Sequence, residues 1–282
     1  MMNDTKEKSA YCDALTAAFL KAVDRPEPDP AGTYYVGVDL GTACVVTVVL
    51  DASGKPAAGA FTYADVVRDG MVVDYIGAVD IVRQMKEDLE KKLDTELIYA
   101  AAAIPPGTDE VDGGAVANVV RAAGYELVSL EDEPTAANRI LKVMDGAVVD
   151  IGGGTTGISI FKDGKVTYVD DEPTGGTHFS LVLAGAYHRS YEEAEIYKRD
   201  PVHHREILPV LRPVVEKVAS IISRHIRGKD VPVIWMVGGT SCLTGIEEMI
   251  TQQTGVRCMK PADPMFVTPL GIAFCCLDKM KT

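Results

Sequence analysis

The chain has 282 residues, enough for one or two packed lobes and too few for three. Hydrophobic residues make up 47% and charged residues 24%, a balance that buries a sizeable core and excludes wholesale disorder. With 41 acidic against 28 basic side chains the net charge is −13, which argues against nucleic acid or an anionic membrane as a partner. Six cysteines (Cys12, Cys44, Cys242, Cys258, Cys275 and Cys276) form no Cys-x-x-Cys pair and have no His at ligand spacing, so neither a zinc site nor a disulfide framework is expected. Adjacent Cys275 and Cys276 follow an apolar run and read as buried thiols. No stretch approaches the roughly 18 apolar residues of a membrane span, and the N-terminus lacks the basic lead and apolar core of a signal peptide. A cytoplasmic protein is expected.

In chain order, residues 9–23 place Tyr11, Leu15, Ala18, Phe19 and Ala22 at helical spacing, and Pro26, Pro28 and Pro30 stop any continuation. Residues 1–32 therefore read as an amphipathic helix on a proline tether. It serves either as a docking peptide for another protein or as a helix that packs on the body. From Tyr34 the pattern turns to strands, at 34–39 and 45–50. Helices are predicted at 77–93, 113–123 and 134–143, and strands at 97–104 and 126–130. Strands follow at 147–151, 158–161 and 166–169, then helices at 177–187, 190–199 and 207–227, and a strand at 231–237. The helix at 190 opens with Ser190-x-x-Glu193, a capping box.

Two stretches are copies of one unit. Asp39-Leu40-Gly41-Thr42 and Asp150-Ile151-Gly152-Gly153-Gly154-Thr155 each follow an apolar strand and precede another, and a Gly-Lys pair (Gly54-Lys55, Gly164-Lys165) closes the next turn. This duplication predicts an α/β protein of two related lobes, each a mixed sheet flanked by helices, over 33–146 plus 262–282 and over 147–261, with the site between them. Gly152-x-Gly154-x-x-Gly157 also fits the dinucleotide fingerprint, but that motif opens a helix, whereas the residues after Gly157 are strand-like and turn back at Asp163-Gly164. A glycine-rich turn between strands suits a phosphate clasp instead, with backbone N–H groups and Thr hydroxyls on the anion. Asp39 and Asp150 beside such an anion call for a cation, and hydrated Mg²⁺ meets that need.

At these residues the sequence resembles the superfamily of actin, sugar kinases and Hsp70, and the resemblance implies actin-like (RNase H-like) lobes. The Asp39 and Asp150 stretches are similar to its two phosphate motifs, Glu133-Pro134-Thr135-Ala136-Ala137 to its first connecting helix, Met236-Val237-Gly238-Gly239-Thr240 to its adenosine motif, and Pro269-Leu270-Gly271-Ile272-Ala273 to its second connecting helix. Residues 68–70 and 190–195 resemble the bacterial relatives MreB, FtsA and PilM. Over the whole chain the sequence is similar to the EutJ family of ethanolamine-utilisation proteins, through residues 63–70, 104–108, 171–177 and 183–186.

The resemblance implies ATP or ADP with Mg²⁺ as cofactors. Asp39 and Asp150 would hold the hydrated metal, Glu133 would orient the attacking water, and Gly238, Gly239 and Thr240 would approach adenine and ribose. Gly41, Thr42, Gly152, Gly153, Gly154, Thr155, Thr156, Gly175 and Gly176 would contact phosphate or ribose, and Lys217 would lie on the adenine side. Two departures stand out: Gly157 occupies a place where many relatives are acidic, and the Hsp70 catalytic lysine has no assured equivalent. The implied activity is weak Mg-dependent ATP hydrolysis driving lobe closure, or binding without turnover. The implied role is a nucleotide-gated, chaperone-like or assembly factor in ethanolamine utilisation, associated with microcompartments, its partners being the pathway's enzymes or shell proteins reached through residues 9–23. A filament-forming, self-associating actin relative and a nucleotide-binding regulator or scaffold are the alternatives. His188, His203 and His204 read as solvated, and Trp235 as core.

Overall fold

The computed structural model describes residues 2–30, 32–108 and 110–281, without the side chains of 2–5 and 110–112; residues 1 and 31 of the predicted tether fall outside it. The chain divides into two compact units, Met1–Lys142 with Phe266–Thr282, and Val143–Met265. The first contributes α1 (Met2–Asp24), β1 (Tyr34–Leu40), β2 (Cys44–Asp51), β3 (Pro56–Tyr63), the small hairpin β4 (Val67–Arg68) and β5 (Met71–Val72), α2 (Tyr75–Leu93), β6 (Tyr99–Ile104), α3 (Glu110–Ala122), β7 (Glu126–Asp132) and α4 (Glu133–Leu141). The second supplies β8 (Gly146–Ile151), β9 (Thr156–Lys162), β10 (Lys165–Glu172), α5 (Gly176–Tyr187), α6 (Tyr191–Arg199), α7 (His204–Ile226), β11 (Ile234–Val237), α8 (Ile246–Thr254) and β12 (Cys258–Met259). The chain then returns to the first unit with α9 (Val267–Lys281).

Each unit is built on a five-stranded mixed sheet, and the two sheets share one strand order, β3-β2-β1-β6-β7 and β10-β9-β8-β11-β12. In both, two hairpins lay three antiparallel strands side by side before the chain crosses over to parallel partners. In the first unit Val36 and Val38 of β1 pack with Val82 and Leu89 of α2 and Val119 of α3. Tyr35 packs in a second cluster with Ala136 of α4 and Ile272 and Cys276 of α9. The alternation of strand side chains thus serves helices on both faces. In the second unit Val149, Ile151 and Ile158 pack with Phe179 and Leu183 of α5 and Val215, Val218 and Ile222 of α7. Trp235 and the Cys275–Cys276 pair are buried. The Ser190 capping box forms, with the Glu193 N–H on Ser190 Oγ at 3.2 Å and the Ser190 N–H on Glu193 Oε2 at 3.0 Å.

Of the two readings of residues 9–23, the structure shows the helix packed on the body. Helix α1 packs on β3, α4 and α9 of its own unit. The face it buries runs through Cys12, Thr16, Phe19 and Ala22, while Tyr11 of the expected stripe is 40% exposed with Lys142 Nζ 4.7 Å from its ring centre. Phe19 meets Phe266 with ring centroids 5.2 Å apart, and Cys12 Sγ donates to the Ile140 carbonyl at 3.6 Å. The proline segment is held too: the Glu27 N–H donates to the Ala57 carbonyl at 2.8 Å, and the Glu27 carboxylate pairs with Lys21 and Lys55. Three prolines stiffen this segment along its own unit, and burial of the helix face, about 1.5–3 kcal/mol for Phe19 alone, keeps α1 in place.

Candidate functional site

In the second unit the parallel strands β8 and β11 are in register with Asp150 opposite Val237, so the turns that follow them emerge at one edge of the sheet. The first is Gly152, Gly153 and Gly154; the second is the 3-10 turn Gly239–Cys242. The first turn is anchored by its carbonyls. Gly152 O accepts the Gly176 N–H at 2.9 Å and the Thr240 hydroxyl at 2.7 Å, and Gly153 O accepts the Thr177 N–H at 2.7 Å. A trans peptide sets each carbonyl antiparallel to the next residue's N–H, so the N–H groups of Gly153 and Gly154 point away from α5. No described residue accepts a hydrogen bond from either. Two backbone donors side by side make a nest for an anion.

Asp150 is 5% exposed and lies against the second turn: a Cβ on Gly238 would sit 2.2 Å from Asp150 Oδ1. Thr155 is buried nearby, and Thr156 is fully buried with its hydroxyl on the Thr174 carbonyl at 2.6 Å. Thr240 and Gly176 thus hold the turn, Thr156 ties the start of β9 to Thr174, and Gly175 packs against Gly152, Gly153 and Gly154 with no room for a Cβ. Beneath them lies a salt bridge that sequence reading missed. Lys198 Nζ donates to the Gly176 carbonyl at 2.9 Å and to Glu195 Oε2 at 2.7 Å, and the Ser180 hydroxyl reaches the same carboxylate. Burial lowers the Lys198 pKa, and Glu195 opposes that shift. Lys217 stands exposed on α7, outside this network.

Asp171 was also missed. Burial first, then the charges of Asp150, Asp170 and Glu172, push its carboxyl up to about 7, against the Thr155 hydroxyl. Its Oδ1 is buried with no hydrogen-bond partner. Buried oxygens without partners suit a hard cation or its water shell. Among the described residues no group of three or more His, Cys, Asp or Glu could hold a metal ion directly.

In the first unit the same strand order puts Asp39, half-buried, near the end of β1, and the Gly41 N–H closes the following turn on the Cys44 carbonyl at 3.1 Å, with Thr42 inside it. Strands β1, β6 and β7 run parallel, so the start of α4 lies at the edge where β1 ends. Asp132 caps α4, accepting the Thr135 N–H at 2.9 Å, and half-buried Glu133 occupies the first turn. Asp39 and Glu133 therefore share one edge of this sheet. His204 departs from expectation: it is buried, with Nδ1 accepting the Thr244 N–H at 3.1 Å and Nε2 on the Lys198 carbonyl at 3.1 Å. Desolvation lowers its pKa, and the ring serves as a neutral brace between α6 and the loop before α8. No described helix is long and apolar enough to cross a membrane.

Comparison with known proteins agrees with this architecture. A family model described as type IV pilus assembly protein PilM matches residues 135–268, and one described as MreB/Mbl protein matches residues 57–193. The fold is shared with MreB5 of Spiroplasma citri, crystallised with AMPPNP, at a TM-score of 0.73 and 17% identity over 90% of this chain and 98% of that one. The crystal structure of ethanolamine utilization protein EutJ from Carboxydothermus hydrogenoformans superposes with a TM-score of 0.86 and 51% identity, covering 96% of this chain and 98% of that one. The ethanolamine utilization protein EutJ of Escherichia coli is 46% identical over 92% of this chain and 93% of its own length. With its duplicated actin-like sheets and this degree of identity along nearly its whole length, the chain belongs to the EutJ family of ethanolamine utilization proteins.

Proposed function

We propose that the chain binds a magnesium-bound adenine nucleotide through its glycine-rich turns and acts as a nucleotide-gated, chaperone-like assembly factor in ethanolamine utilisation associated with microcompartments. The observation that carries the nucleotide reading is the turn at Gly152, Gly153 and Gly154, anchored through its carbonyls with two N–H groups turned outward. The AMPPNP in the MreB5 crystal and the EutJ relatives support the reading. In it, Asp39 and Asp150 hold the hydrated ion, Gly238 and Gly239 lie under adenine and ribose, and Glu133 orients a water toward the terminal phosphate. The ion, when bound, neutralises phosphate charge. In this reading turnover is slow, and positioning carries the reaction.

Calorimetry of ATP, ADP and pyrophosphate against the full chain, with and without Mg²⁺, tests the binding. Micromolar or tighter binding of ATP is expected, about −8 kcal/mol, lost in Asp150→Ala; ATP heats that match buffer overturn the reading. Phosphate release separates slow turnover from binding alone, and sedimentation with and without ATP detects a filament.

A further inference from the structure

Across the second sheet, β8, β9 and β10 place Asp150, Gly157 and Asp171 directly opposite one another in a single row. Residues paired across neighbouring strands share a face, so both carboxylates rise on the same side of the sheet, with a bare glycine between them and about 10 Å between their Cα atoms. The first unit has the same strand order, and there the row reads Asp39, Val46, Phe61. The fold is thus satisfied with apolar side chains at the two positions where the second unit has Gly157 and Asp171.

Asp171 also differs from its neighbours along β10. Asp170 accepts the Tyr168 hydroxyl at 2.7 Å, and Glu172 binds His225 Nε2 at 3.0 Å as well as Arg224. Those two point to the α7 side, and their charges are answered within the protein. Asp171 points the other way, toward the Asp150 face, and its Oδ1 is buried with no partner. Burying a carboxyl oxygen without a hydrogen bond costs stability. That cost is offset when a ligand supplies the missing donor or charge.

We propose that Asp171 is the second carboxylate of this half-site, holding from β10 the water shell of the divalent cation that accompanies the polyphosphate, over the bare Gly157 of β9. The proposal rests on the nucleotide reading above. It assigns the second acidic role to β10, since β9, the strand that follows the glycine turn, carries no acidic residue. Asp171 is a positioning residue: it acts on the nucleotide through hydrated metal, as Asp150 does from β8.

Isothermal titration of ATP into the full chain, in magnesium buffer and in EDTA, tests it with wild type, Asp171→Asn and Asp171→Glu, each checked for folding by thermal melting. Wild type is expected to bind ATP about tenfold tighter with magnesium than in EDTA; Asp171→Asn keeps its EDTA affinity within about twofold and loses about fivefold of the magnesium gain, and Asp171→Glu recovers part of it. An Asn variant with the full magnesium gain overturns the assignment and leaves the nucleotide reading standing; wild-type binding that magnesium leaves unchanged overturns the assignment together with the magnesium part of that reading, while nucleotide binding stands. Wild type that binds no ATP in either buffer overturns both. Should the Asn variant fail to fold, the Glu variant carries the comparison, and an undiminished magnesium gain in it with manganese-ATP spectra identical to wild type overturns the assignment.

Discussion

Gly238 shows how one residue can set the chemistry of a half-site. Its φ of +87° is a conformation that L side chains rarely adopt, and a Cβ there would press into the Asp150 carboxylate. Gly238→Ala is expected to cost about 1–2 kcal/mol of backbone strain and to push Asp150 from its place, so that ATP affinity falls further than stability does. Urea unfolding beside calorimetry reads both. Asp171 makes a second prediction, for metal-free buffer. Its carboxyl ordinarily titrates at 3.8 but is raised to about 7 in the folded chain, so between these pH values the unfolded chain has released a proton that the folded chain retains. Stability from this group is full below the lower value and is lost as pH rises through the higher one. Melting temperatures across this window should fall more steeply for wild type than for Asp171→Asn, and parallel curves would contradict the shift. Sequence alone exposes Asp39 and Asp150, because each directly precedes a Gly-rich turn. Asp171 stays hidden, since its place opposite Gly157 comes from strand register, and Lys198 stays hidden because its carbonyl partner belongs to another helix.

Between elements, α9 crosses α4 at close quarters. A Cβ on Gly271 would lie 2.0 Å from the Ala136 carbonyl oxygen, so the two backbones touch with no room for a methyl group. Gly271→Ala is expected to destabilise the chain by about 1–3 kcal/mol or more through overpacking, seen as a lower urea midpoint with unchanged slope. Most elements were legible. The helices predicted at 77–93, 177–187 and 190–199 fall within two residues of α2, α5 and α6. The strand predicted at 231–237 begins only at Ile234, after Pro232, which cannot donate to a ladder. Strand β3 went unseen because its Ala- and Gly-rich start carries little strand propensity, and α8 because nine mostly polar residues give a short, weak period.

At the scale of the molecule, duplication was the strongest sequence signal, and the shared strand order of the two sheets is its structural counterpart. The role of α1 was not legible, because its buried face is centred on Cys12, Thr16 and Phe19, offset from the stripe that hydrophobicity suggested. Phe19→Ala is expected to cost about 3–5 kcal/mol in chemical denaturation; a loss below 1 kcal/mol would instead mark α1 as a loosely held appendage. The nesting of the units has a mechanical consequence. The first and last described elements, α1 and α9, both belong to the first unit, and the second unit is one uninterrupted stretch of sequence between α4 and α9. Tension applied through the ends, as with optical tweezers, must pass through the outer unit before it reaches the inner one. The expected trace is an ordered pair of ruptures, in which nucleotide raises the force of the later event whenever the Asp150 half keeps its ligand.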